Sequence, residues 1–493
     1  MLETMHRISS ATLNDLPEGV SVPTYDRSAI TPGIVHIGLG NFHRAHQSWY
    51  LHRLMQQGVA MDWGIIGAGV RAGDAAQRDR LAAQDYLTTL IELDPKGRSA
   101  EIVGAMIGFV QVEEDNAALI AQMTDPAIRI VALTVTESGY YIDPVTKAFD
   151  AKHPDMQHDA AYPDRPRTAF GAMIAALKMR RANGTGPFTA QSCDNLQGNG
   201  TILRQTVVSL AKLSDPDLAD WIDCSCSFPN SMVDCIVPAT GPKELDIVRS
   251  FGIEDAAPVT HENYRQWVIE DDFCAGRPDW DKAGATFTDD VHAFEAMKIR
   301  ILNGGHQLIA DAGEVLSVEF ISECMDHPLI GDFFRKVAKT EIALQVQSVP
   351  GMDPETYVDL IDGRFSNPEI VDTVRRVAFD GSSRQTGFIL PTLRDALSSS
   401  DPMDGLALSQ AIWARMCEGT REDGSVIAPN DPIWDSLTIA AKAAKSDPQA
   451  WLNQRDLYGD LAEHEAFADR FRHWLSMIWK DGLEAVLGIY LRG

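Results

Sequence analysis

Up to about residue 240, short apolar runs alternate with amphipathic stretches. The runs fall at residues 34–37, 63–66, 87–91, 129–136 and 188–192. This alternation predicts βαβ units that build a parallel sheet. Between two of the runs, residues 168–183 carry Phe170, Met173, Ile174 and Leu177 at helical spacing and stop at Gly184, where a C-terminal cap would sit. Beyond about residue 290 the strand signal fades and helical periods dominate. In the last of them Phe467, Phe471, Trp474, Leu475 and Ile478 fall at i, i+4, i+7, i+8 and i+11, one apolar stripe that predicts a helix packed into a core. The fold class expected is therefore a Rossmann-type α/β domain over residues 1–288, followed by a mainly α-helical domain over residues 289–493. A cleft between two such domains is the expected place for an active site.

Composition narrows the function. The 493 residues hold 43 Lys and Arg against 70 Asp and Glu, a formal net charge of −27, and no local basic patch offsets it. Such a surface repels phosphate polyanions, so nucleic acid is not an expected partner. No basic segment followed by an apolar stretch opens the chain, and nowhere do about 18 apolar residues run together, so the expected location is cytoplasmic, without a membrane. Seven cysteines, an odd number, read as reduced thiols. Cys224, Cys226 and Cys235 lack CxxC spacing and a nearby His, so no metal site is expected.

The first chemical motif is Gly38-Leu-Gly40-Asn41-Phe42-His43-Arg44, set between the run at 34–37 and a helical stretch with Trp49, Leu51, Leu54 and Met55. Glycines at a strand-to-helix turn allow close approach of a pyrophosphate to backbone N–H groups. His43 stands where the third glycine of GxGxxG would be, so the fingerprint is incomplete. After the second run, Asp74 is placed to accept from an adenosine ribose hydroxyl, which favours NAD; Arg71 could instead welcome the 2′-phosphate of NADP.

The second constellation is Glu295-Ala-Met-Lys298-Ile-Arg-Ile-Leu-Asn303-Gly-Gly-His306. On an α-helix, where each residue advances about 100°, Lys298, Asn303 and His306 would share an arc of about 140°. One face would then carry an amine, an amide and an imidazole. A lysine desolvated in a cleft can serve as a general base near neutrality. Ser192-Cys-Asp194-Asn195 follows a strand-like run, and Asn230-Ser-Met-Val-Asp234 follows Phe228-Pro229; both are turn-like sequences that gain weight from their company. Oxidation of a secondary alcohol needs a base, donors for the oxygen and a nearby hydride acceptor, and these residues with a dinucleotide fold supply all of them.

Together, GLGNFHRAH, SCDN, FPNSMVD, KIRILNGGH and FDGSSRQ resemble the polyol-specific long-chain dehydrogenase/reductases, in the same order and over almost the whole chain from about residue 30. The resemblance implies a metal-independent, NAD-dependent oxidoreductase, commonly monomeric, that interconverts a sugar alcohol and its ketose. D-mannitol and D-fructose are the first pair it suggests; a hexuronate reductase, or a D-arabinitol or sorbitol dehydrogenase, is the alternative. It implies that Lys298 is the base, that Asn195 and Asn303 bind the developing alkoxide, and that His306 binds the polyol and orients the lysine. It further implies that Glu295 relays the proton and that Asp234, Arg376 and Arg384 contact substrate hydroxyls. Gly38, Gly40, Asn41, Phe42, Arg44 and Asp74 would form the cofactor side. Arg384 replaces a lysine expected in some members, and a guanidinium there would suit a carboxylate-bearing sugar. A non-catalytic NAD-binding regulator would be expected to have lost Lys298 or one of the amides, which this chain keeps.

Overall fold

The apolar runs at 34–37, 63–66, 129–136 and 188–192 become the strands Pro32–Ile37, Gly64–Ala68, Ile130–Leu133 and Thr189–Ser192 in a computed structural model that describes residues 5–143, 146 and 148–493. With Met106–Phe109 they form a five-stranded sheet, ordered Met106–Phe109, Gly64–Ala68, Pro32–Ile37, Ile130–Leu133, Thr189–Ser192, and every pairing is parallel. The strands are near-continuously apolar because both faces are covered. Val35, Ile37, Val131 and Leu133 pack with Met173 and Leu177 of the helix Ala169–Asn183 and Leu203 of Asn199–Ser214. Ile34, Ile65 and Ile130 face the other way, onto Leu51, Leu54 and Met55 of the helix Gln47–Gln56.

The helix Ala169–Asn183 is bounded as its sequence predicts. The Thr168 side chain accepts from the Gly171 N–H at one end, and Gly184 closes the other in a left-handed conformation, φ 71°.

Two strand expectations need correction. The run at 87–91 does form a strand, Thr88–Asp94, but outside the parallel sheet: it pairs antiparallel with Gly97–Val103 in a separate four-stranded sheet. Asp94-Pro95-Lys96-Gly97 is the reason, since Asp, Pro and Gly at positions i, i+1 and i+3 make a tight turn, with the Lys96 N–H bonded to Asp94 at 2.8 Å. Strands also continue past residue 240, as Val259–Glu262, Gln266–Glu270 and Thr286–Thr288.

The chain divides into two compact units, Met1–His292 and Ala293–Gly493. In the second, the helices Gly304–Val315 and Asp404–Cys417 are buried on nearly all sides and pack together, while Glu465–Asp481 buries one face, the predicted stripe of Phe467, Phe471, Trp474, Leu475 and Ile478 with Ala468 beside it. Gly305 is one place where no side chain fits: a Cβ there would stand 2.6 Å from the Phe334 ring. No helix among the described residues is long and apolar enough to cross a membrane.

Candidate functional site

In the first unit the strand Pro32–Ile37 ends at Gly38, which turns the chain at φ +90°. A Cβ on Gly38 would lie 2.0 Å from the Thr134 carbonyl oxygen, so only glycine fits between these two strand ends. Strand order reverses between Pro32–Ile37 and Ile130–Leu133, and α/β sheets bind ligands at the carboxyl ends of strands beside such a switch point. A cavity of about 660 Å³ opens there, lined by Gly38, Gly40, Asn41, Arg44, Arg71 and Asp74 among others. That volume is within the range of small-molecule and cofactor sites. A Cβ on Gly40 would meet nothing within 4 Å, which leaves the front of the turn open to a ligand.

The donor set fits a dinucleotide. Arg71 and Arg80 bring positive charge to the cavity, and Asp74 brings a carboxylate. One Asp74 oxygen is fixed by the Arg71 N–H at 2.9 Å. Arg44 is buried and braces the turn: it donates to the Gly40 carbonyl at 3.3 Å, to Asn41 Oδ1 at 2.7 Å and to the Ala257 carbonyl. Burial lowers its pKa to about 10, which leaves it a cation at neutral pH. The Asn41 amide in turn donates to Thr240 Oγ1 at 2.9 Å and to the Pro238 carbonyl at 3.2 Å, so it holds the turn in place. Phe42 is not part of the cavity lining; its ring stacks on His46 at 4.8 Å.

The helix expected after the turn is interrupted at His46, which separates Asn41–Ala45 from Gln47–Gln56. Arg80 escaped the sequence reading although a signal was present. Asp74, Gln77 and Arg80 are spaced by three along the helix Asp74–Ala82, and all three line the cavity.

Ser192-Cys-Asp194-Asn195 lies at the carboxyl end of Thr189–Ser192. Asp194 is buried and accepts from the Val135 and Thr136 N–H groups at 3.0 and 2.9 Å and from the Tyr140 hydroxyl at 2.6 Å. It fastens this corner to the cavity wall and leaves its neighbour Asn195 exposed. Asp234 is buried at the end of the strand Ser231–Asp234, opposite Gln266.

In the second unit, Lys298–Asn303 is a π-helical segment placed between the α-helices Val291–Met297 and Gly304–Val315. This corrects the α-helical arc expected of the motif. With i→i+5 hydrogen bonds, residues five apart stand one turn above each other, so Lys298 and Asn303 come closer into line than on an α-helix; π turns of this kind recur at functional sites. Lys298 is 7% exposed and Glu295, one α-turn before it, 4%. His306 follows on the next helix, with its ring stacked on Phe365 at 4.1 Å. Burial pushes the His306 pKa down to about 4; Asp372 opposes the shift, and the guanidinium groups of Arg376, Arg364 and Arg384 add to it.

Arg376 grips Asp372 through two hydrogen bonds, 2.6 and 2.5 Å, and Arg384 donates to the Val377 carbonyl at 2.7 Å. Both line a recess of about 470 Å³ together with Phe379. Arg364 and Phe365 were not singled out in the sequence, and no local motif marks them. Among the described residues no group of three or more His, Cys, Asp or Glu side chains is arranged to hold a metal ion.

Comparisons with known proteins follow the same division of the chain. The family description "Mannitol dehydrogenase Rossmann domain" matches residues 32–282, and "Mannitol dehydrogenase C-terminal domain" matches residues 290–479. A mannitol 2-dehydrogenase of Cereibacter sphaeroides is 54% identical over 97% of this chain and 100% of its own length. One from Aspergillus terreus is 39% identical over 96% of each chain. Among solved structures, the Pseudomonas fluorescens mannitol 2-dehydrogenase in ternary complex with NAD and D-mannitol superposes with a TM-score of 0.84 at 36% identity, covering 99% of this chain and 100% of that one. A substrate-free D-sorbitol dehydrogenase gives 0.93 at 32% identity, covering 97% and 100%.

Proposed function

This chain belongs to the mannitol dehydrogenase family, and on that premise we propose that this polyol dehydrogenase interconverts D-mannitol and D-fructose with NAD, without a metal ion. Residues 1–288 are assigned to the dinucleotide and residues 289–493 to the polyol. NAD, when bound, supplies the hydride acceptor, and the Gly38–Gly40 turn, Arg44, Arg71 and Asp74 are the residues that would hold it. The observation that carries the reading is the π turn, which brings a buried lysine and an amide five residues apart toward one line.

Lys298 takes the hydroxyl proton, and Glu295, one turn back, passes it on toward solvent. Asn303 and Asn195 donate to the oxygen as it gains charge, a role in which one donor lowers the barrier by about 3 kcal/mol. His306, neutral at physiological pH because of its burial, orients the polyol and the lysine. Asp234, Arg376 and Arg384 hold the remaining hydroxyl groups. Replacing Lys298 by alanine tests this assignment. Turnover should fall by about 10³-fold, within the usual range for a lost general base, while the Kd for NADH stays within a factor of two or three. Near-wild-type turnover at neutral pH would remove Lys298 as the base.

A second reading, reduction of a hexuronate, is favoured by one observation: Arg364, Arg376 and Arg384 all act electrostatically on His306. Guanidinium groups gathered there would suit a carboxylate at the far end of the sugar.

A further inference from the structure

The histidine that stands in place of the third glycine points to a site of its own. In dinucleotide turns that third glycine allows close packing of helix on strand. Here His43, on the short helix Asn41–Ala45, lays its ring flat on His36 of the strand Pro32–Ile37, with centroids 3.5 Å apart and planes 22° from parallel. Both rings are buried, as are Gln191 on Thr189–Ser192 and Trp280. These four residues, with Gln47 and three apolar side chains, enclose a small cavity on the face of the sheet that carries Ile34 and Ile65.

The hydrogen bonds around the cavity fix both histidine tautomers. The Thr134 hydroxyl gives its proton to the Gly38 carbonyl at 2.7 Å. It can therefore only accept from His36 Nε2, 3.1 Å away, and His36 carries its proton on Nε2. Gln47 Oε1, an obligate acceptor, lies 3.1 Å from His43 Nδ1, so His43 carries its proton on Nδ1. The nitrogens left over, His36 Nδ1 and His43 Nε2, are both acceptors, and both are buried without a protein partner. Gln191 Nε2 and Trp280 Nε1 are buried and unpartnered in the same way, and both are donors. The side chains that enclose this space thus carry two donors and two acceptors without partners, which matches the two of each that a single water molecule offers. The space open to a water centre is about 10 Å³, close to the least that holds one molecule.

We propose that this cavity is a binding site for one structural water, held by His36 Nδ1, His43 Nε2, Gln191 Nε2 and Trp280 Nε1. Such a water joins two strands of the parallel sheet, the helix of the glycine turn and the Trp280 segment, and it does so beneath the turn itself. It also gives a reason for His43 in the motif: the imidazole and the water fill the gap that a glycine would close by direct packing. Burial, which lowers the pKa of both rings far below 6.5, keeps them neutral as this arrangement requires.

A crystal structure of the full chain, at a resolution that shows ordered water, tests the site. One peak should lie within hydrogen-bond distance of all four atoms, about 2.7–3.2 Å from each. An empty cavity, or a ring turned so that its unpaired nitrogen meets a protein group, would overturn the proposal. Nitrogen chemical shifts of histidine-labelled protein give an independent reading: His36 should appear as the Nε2–H tautomer and His43 as the Nδ1–H tautomer. The opposite tautomer at either residue would refute it, whatever the density shows.

Discussion

Both units set their candidate residues on irregular backbone, and they reach that irregularity by opposite routes. In the first, the chain leaves a strand at Gly38 with a positive φ, a conformation that only glycine adopts cheaply and that here also avoids the Thr134 carbonyl. In the second, every residue from Lys298 to Asn303 is an ordinary helix former or tolerated in a helix, and the irregularity is a change of hydrogen-bond register inside a continuous helical rod. The first kind of site announces itself by residue type. The second does not, because a π turn is selected by packing around the helix rather than by any one side chain. Cofactor binding should therefore depend on one residue's conformational freedom, and chemistry on the alignment of several side chains.

Variants can break that comparison on either side. The largest expected effect among them is Asn303→Ala, which should lower kcat by about 10²-fold or more, as loss of an oxyanion donor does, with the NADH Kd unchanged. Stopped-flow turnover with NADH titration would show whether the two quantities separate. Gly38→Ala should act in the other direction. The strain of a non-glycine residue at this φ, about 1–3 kcal/mol, and the shift forced by a Cβ 2.0 Å from the Thr134 carbonyl oxygen should weaken NADH binding by at least about 10-fold, read from fluorescence titration, while Lys298 and Asn303 are left untouched. Equal losses in both parameters for both variants would erase the distinction.

Acid should discriminate the units less. His36, His43 and His261 in the first and His306 in the second all have pKa values pushed below the ordinary 6.5 by burial, His43 and His261 to about 3 and His306 to about 4. The unfolded chain binds protons at these sites from about pH 6.5 downward and the folded chain does not. Stability is therefore lost as the pH falls from 6.5 toward these values. One unit below 6.5, each histidine subtracts about 1.4 kcal/mol. Denaturant unfolding at pH 7.0 and 5.5 should show the loss, and His306→Phe should reduce it. In the folded protein none of the four titrates near neutrality, so a limb of the activity profile at neutral or higher pH belongs to another group. The smallest effect is expected of Arg384→Lys. For D-mannitol it should change KM by no more than a few-fold, an effect within about 1 kcal/mol, whereas a uronate-reducing enzyme would lose its substrate preference.

Much of the architecture was legible because it rests on periodicity and punctuation. The parallel strands, the helix bounded by Thr168 and Gly184, and the stripe from Phe467 to Ile478 are all local patterns. What escaped was non-local or nearly so. Met106–Phe109 sits inside a longer apolar stretch, and its place at the sheet edge depends on pairing with Gly64–Ala68. The Thr88–Asp94 hairpin was marked by Asp94-Pro95-Lys96-Gly97, a turn signal that alternation alone overlooks. On the site, Gly38, Gly40, Arg44 and Asp74 lie together at one cavity. Phe42 and the Asn41 amide serve the packing of the turn, a distinction that no spacing encodes. Arg364 reaches His306 from a different helix and became visible only once the chain was folded.

The most direct test of the proposed chemistry follows nicotinamide absorbance at near-neutral pH with a chelator present. Reduction should be run with D-fructose, D-fructuronate and L-sorbose, and oxidation with D-mannitol, D-sorbitol and D-arabinitol, each with the NAD and NADP forms of the cofactor. The account predicts the fastest turnover for D-mannitol and D-fructose with NAD and NADH, unaffected by the chelator. Absence of turnover on every polyol and ketose, or activity that the chelator abolishes, would contradict it.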